Sequence, residues 1–130
     1  MKLVLPAVFL TAIALAVQVC GQEAANEKVV EPSFCNLLPA ESVQQSNTSF
    51  TEIFRFKLSD TGTPSPAVRV HGEYLTVADV TKCVRTWKFR NFEAGESFLV
   101  AFRWEHGGGW TELRITSRDY SATFPKKSDN

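Results

Sequence analysis

Two histidines, three cysteines and a few carboxylate pairs are the groups in this 130-residue chain whose types could do chemistry. His71 and His106 could ligate a metal or act as bases, with Glu73, Asp79, Glu105 and Glu112 as acidic companions. Such sites need a set spacing, for instance two histidines one helical turn apart, and neither histidine has one. Nucleophilic catalysis needs a hydroxyl or thiol with a base and an orienting partner, and there is no Gly-x-Ser-x-Gly elbow. Glu93 with Glu96, and Glu105 with Glu112, are pairs of the kind that cleave glycosides, but they fall in loops and hairpin ends, where carboxylates are ordinarily solvated. Gly107-Gly108-Gly109 joins two strands and opens no helix, so it is no phosphate cradle. The expectation is a protein without catalytic residues, metal or cofactor. Two alternatives stay open: a small secreted enzyme using His71 and His106, and a glycan-binding module using Trp104 and Trp110 as an exposed platform. A cross-strand tryptophan pair is the favoured arrangement for those two rings. Asn47-Thr48-Ser49 is a glycosylation sequon, meaningful only in a eukaryotic host.

The cysteines are read through the N-terminus. Lys2 precedes an apolar run from Leu3 to Val17, closed by small residues, which is the order of a secretory signal. That run is shorter than the roughly 20 residues of a membrane-spanning helix, so a retained anchor is the weaker reading. Cleavage is placed after Gly21. Gln18-Val19 before Cys20 fits a lipid-attachment signal poorly. Removal of residues 1–21 discards Cys20 and leaves Cys35 and Cys83, for which one disulfide is expected in an oxidising compartment. Two free buried thiols are the competing reading. Without Lys2, 13 of the 14 basic residues remain against 14 acidic ones, and no charge block suggests nucleic acid or an anionic membrane surface.

The elements that must position these groups follow from periodicity. Residues 22–49 form an N-terminal arm, loose as far as Pro32, with a short helix near Pro39 to Gln45. Phe50, Phe54, Phe56 and Leu58 share one parity and Arg55 and Lys57 the other, as in a half-buried strand. A turn-rich stretch, Ser59 to Pro66, leads to a partner strand with Val68 and Val70 on one face. Thr76 can cap a helix in which Val77, Val80, Val84 and Trp87 form one face and which runs to Phe89. Phe98 to Trp104 and Trp110 to Ile115 make a second hairpin around the glycine turn. Residues 119–130 read as a flexible tail. The fold class is α+β: a small antiparallel sheet of about four strands, in two hairpins, with one helix packed across it. Its expected core is Phe54, Phe56, Val80, Val84, Trp87, Phe98, Val100 and Phe102.

Residues 50–118 also resemble the C-terminal domain of TonB-type energy transducers. The resemblance is carried by Phe54-Arg55-Phe56-Lys57-Leu58 running into Ser59-Asp60-Thr61-Gly62, by Val68 to Val70, by the helix ending Cys83-Val84-Arg85-Thr86-Trp87-Lys88-Phe89, and by Gly95-Glu96-Ser97-Phe98. The chain has no long Pro-rich spacer, and Arg90-Asn91 stands where the family usually has proline. The resemblance therefore implies a stand-alone exported variant, periplasmic or secreted, which binds protein partners and has a link to outer-membrane transport. It also implies how: such domains recruit a short receptor segment by strand addition. The last hairpin is the expected edge, with Thr111, Glu112, Arg114 and Thr116 as its partner-binding positions. An edge shielded by the tail, the arm or a homodimer is the competing reading.

Overall fold

The alternation seen in the phenylalanine-rich segments builds a five-stranded sheet. The chain is described by a computed structural model over residues 27–126. The export signal, its cleavage point and Cys20 lie outside the described residues, as do residues 22–26 of the arm and 127–130 of the tail. In chain order the elements are β1 (Val29–Glu31), α1 (Glu41–Gln44), β2 (Phe50–Lys57), β3 (Val68–His71), α2 (Val77–Val84), β4 (Lys88–Arg90), β5 (Ser97–Glu105), β6 (Gly109–Ser117) and β7 (Tyr120–Pro125). The main sheet is antiparallel throughout, in the order β3-β2-β5-β6-β7, and β1 pairs with β4 in a separate two-stranded ribbon. The class is α+β, with a larger sheet than the expected four strands.

One face of the sheet is the core. Phe54, Phe56, Phe98, Val100, Phe102, Leu113 and Ile115 are buried there against Val80, Val84 and Trp87 from the helical segment, so all eight expected core residues are inside. Burial of each such side chain is worth about 1.5–3 kcal/mol before its entropy is charged. Among the described residues no helix is long and apolar enough to cross a membrane.

Three boundaries differ from the expected ones. Thr76 caps α2 as read, its Oγ1 accepting from the Asp79 N–H at 3.2 Å, but the helix ends at Val84 and does not reach Phe89. There the Thr86 and Trp87 N–H groups turn back to the carbonyls of Cys83 and Val84, which tightens the chain into a turn. Lys88–Arg90 is then extended because it pairs with β1, a non-local contact that overrides the helical pattern. The arm is accordingly not loose from residue 29 on: Val30 and Leu37 are buried, and the indole N–H groups of Trp87 and Trp110 donate to the carbonyls of Ser33 and Leu37. Nor are residues 120–125 a flexible tail. Arg118 and Asp119 make a two-residue turn, and β7 returns along the second half of β6 from Ser117↔Tyr120 to Glu112↔Pro125.

The disulfide forms. Cys35 and Cys83 are bonded across 5.9 Å between their Cα atoms and join the arm to α2. Lys28 makes a second tie. Its ammonium donates to Glu96 at 2.7 Å and to Asp119, and lies 5.3 Å from the Phe92 ring centroid. Burial opposes the charge on Lys28, but the bonds to Asp119 and Glu96 together outweigh it and raise its pKa. Burial also opposes the charge on Glu96, and the Lys28 bond with other donors prevails and lowers its carboxyl; the Lys28 bond lowers Asp119 as well. The depressed carboxylates stabilise the docked arm above their unfolded-state values of about 4, and that support is lost as pH falls through their lower folded values. The raised Lys28 contributes fully below its ordinary value and fades only as pH rises through its folded one. Amide-exchange protection of Val29–Glu31 is therefore expected to hold from about pH 5 to pH 10 and to drop in acid, below the ordinary carboxylate range, before that of β5. Simultaneous loss in β1 and β5 would contradict this local coupling.

Candidate functional site

A strand edge offers function only if its backbone is free, and hydrogen-bond phase decides which groups are free. The expected edge, Thr111, Glu112, Arg114 and Thr116, is not one. These residues lie in β6, which is paired on both sides, by β5 and by β7, so its backbone is already taken up by the ladder. Glu112, Arg114 and Thr116 instead send their side chains to the sheet face opposite the core, while the Thr111 hydroxyl donates to the Arg103 carbonyl at 3.4 Å.

The true edges are β3 and β7. β3 has four residues and a register shift where it meets Ile53 and Phe54, and such a bulge blunts an edge. β7 has six residues and pairs without a shift. The Lys126 N–H donates to the Thr111 carbonyl at 3.1 Å, which sets the phase of the β6–β7 ladder. Antiparallel pairs alternate between bonded and non-bonded, so Phe124, Ala122 and Tyr120 bond inward to β6. The N–H and C=O groups of Ser121 and Thr123 consequently point away from the sheet, and Pro125, in the same phase, has no N–H to offer. Tyr120, Ala122 and Phe124 are only half-buried on the core side. An added strand would cover that apolar flank while meeting the free backbone.

The remaining candidate groups do not converge. His71 ends β3 and is exposed; His106, in the β5–β6 turn, is also exposed, with Nδ1 3.1 Å from the Ser46 carbonyl oxygen. Among the described residues no group of three His, Cys, Asp or Glu side chains could hold a metal. In each carboxylate pair one member is already engaged: Glu96 with Lys28, and Glu105 with Arg103 at 2.8 Å, a bond that lowers the Glu105 carboxyl. Trp104 and Trp110 are the cross-strand pair, edge to face at 4.9 Å, and both are buried, so they present no platform.

Comparison with protein-family models, curated proteins and solved structures gives no match. The geometry alone carries the functional reading. It includes one group that the periodicity of β2 should have flagged: Glu52 has the parity of Phe50 and Phe54 and is completely buried. Its Oε1 accepts from the N–H groups of Tyr74 and Leu75, each at 2.7 Å, and from Arg69 Nη1 at 3.3 Å. Arg69 also donates to the Leu75 carbonyl and lies over the Phe54 ring. This pair fixes the loop between the β3 edge and α2, a structural task.

Proposed function

We propose that the chain is an exported domain that binds protein partners by accepting an extended segment beside β7, without catalysing a reaction. The observation that carries this reading is the regular edge of β7, unpaired among the described residues, with the backbone groups of Ser121 and Thr123 directed outward. The signal-like residues 1–21 and the Cys35–Cys83 bridge support a compartment outside the cytoplasm, the periplasm or beyond it. The TonB-like pattern supports a short segment of an outer-membrane receptor as the first partner to test, with a role in transport. Main-chain bonds would supply affinity, and the half-buried Tyr120, Ala122 and Phe124 would select alternate apolar residues on the incoming strand.

Thr123→Pro separates recognition from folding. It removes an N–H that points outward and makes no ladder bond, along with an exposed 3.3 Å contact from Arg114 Nε to Thr123 Oγ1. The variant should keep its stability within about 1 kcal/mol, because an edge strand tolerates proline at a position whose N–H faces away from the ladder. In titrations with ten-residue peptides from receptor segments, a wild-type binder should protect the Ser121 and Thr123 amides from exchange. It should bind Thr123→Pro at least about tenfold more weakly, the loss of one main-chain bond plus a steric block. Equal affinity for both proteins would refute the β7 reading. Proline at Arg114 or Thr116 cannot serve, since it would break the ladder between β5 and β6.

A further inference from the structure

The sheet face opposite the core stands apart from the β7 edge. Its residues on β2, β5 and β6 remain half-buried or exposed, so no described element covers it. Open antiparallel faces are ordinarily polar. This one has an apolar centre. Ile53 lies opposite Ala101, and Leu99 lies opposite Arg55, whose other neighbour is Val68. Leu99 and Val68 are 38% and 49% exposed, and a groove of about 330 Å³ runs over Ile53, Leu99 and Ala101 between β2 and β6. The apolar strip is flanked by Arg55 on β2 and Arg114 on β6, and neither makes an ion pair among the described residues. Arg103 on the same face is neutralised by Glu105, which leaves Glu112 as the one acidic side chain lining the groove.

We propose that this face docks an acidic protein segment, with one apolar side chain in the groove and a carboxylate on each of Arg55 and Arg114. Charge complementarity selects the occupant: a guanidinium takes a carboxylate through paired N–H donors and is weakly enough hydrated to do so beside apolar surface. Spacing narrows it further. Arg55 lies beside Leu99 and Arg114 beside Ala101, so the two are two strands apart and two residues offset, roughly 12 Å, which an extended segment spans in about four residues with both ends on one face. The partner motif is thus a large aliphatic residue midway between two acidic residues four positions apart, all three on one face of the extended segment.

The test is an NMR titration of the mature protein with a ten-residue peptide holding one leucine between two glutamates at that spacing. A glutamine version and phosphatidylglycerol vesicles serve as the other arms. The acidic peptide should shift the amides of Ile53, Leu99, Ala101 and Arg114 and should weaken as salt rises. The glutamine peptide, and the exposed-surface variant Arg55→Glu/Arg114→Glu, should each bind about tenfold more weakly, the effect of losing interfacial charge pairs. Ser121→Pro, which removes the other outward N–H of β7 and no contact of Arg114, should bind like the wild type, so failure of the edge reading and failure of this one are distinguishable. Equal binding of the two peptides, shifts confined to β7, or a response to vesicles alone would overturn the proposal.

Discussion

Replacing Glu52 by alanine should cost the domain about 3–5 kcal/mol, the usual penalty for removing one partner of a buried charge pair. The carboxylate is fully buried, and one oxygen, Oε1, serves the Tyr74 and Leu75 N–H groups together with Arg69. Alanine leaves those donors facing a cavity and strands the guanidinium against Phe54 and the Leu75 carbonyl. Glu52→Gln keeps an acceptor but not the charge, so a smaller loss of about 1.5–3 kcal/mol is expected, the range for a charge-assisted bond. Gly72 supplies a check on the cause. It sits at φ +100°, and a Cβ there would fall on Glu52 Oε2, so Gly72→Ala should be severely destabilising on its own. In Glu52→Ala/Gly72→Ala the colliding oxygen is gone and the new methyl enters the vacated space. Urea unfolding of the double variant should therefore show less than the sum of the two single losses. Strict additivity, or a Glu52→Ala loss under about 1 kcal/mol, would show that the pair does not hold the loop.

Glu52 also shows how far periodicity could be read. Its parity with Phe50, Phe54 and Phe56 placed it in the core, yet a carboxylate is the residue type that such a reading passes over. The strands rich in phenylalanine were legible because their period of two is local, and so was the Thr76 cap, which needs only the next three residues. The alternation of Tyr120, Ala122 and Phe124 with Ser121 and Thr123 was equally present but lay close to the chain end, where fraying is the usual expectation. Lys88–Arg90 was not legible at all. It continues a helical pattern and becomes a strand only because Val29–Glu31, far earlier in the chain, returns to pair with it. The edge followed from the same kind of fact: β6 is internal because β7 exists, so the edge strand lies one place further out in the sheet than the sequence suggests.

Opening the disulfide should have a comparably large effect. The bridge spans 48 residues, and the chain-entropy model assigns such a loop about 4 kcal/mol. Cys35 occupies the left-handed region at φ 54°, a conformation that costs a non-glycine residue roughly 1–2 kcal/mol and that the bonded geometry keeps in place. Cys35→Ser/Cys83→Ser should thus lose about 3–4 kcal/mol, lowering the melting temperature by roughly 15–30 °C in a domain of this size. The loss should be uneven. The arm retains Val30 and Leu37 in the core and two indole hydrogen bonds, whereas the five-stranded sheet contains neither cysteine. Amide exchange should then accelerate first in Val29–Glu31 and Lys88–Arg90, with β2 and β5 still protected. If the double serine variant instead melted within about 5 °C of the wild type, the arm would be held by its burial and the Lys28 contacts, and the bridge would add little to the fold.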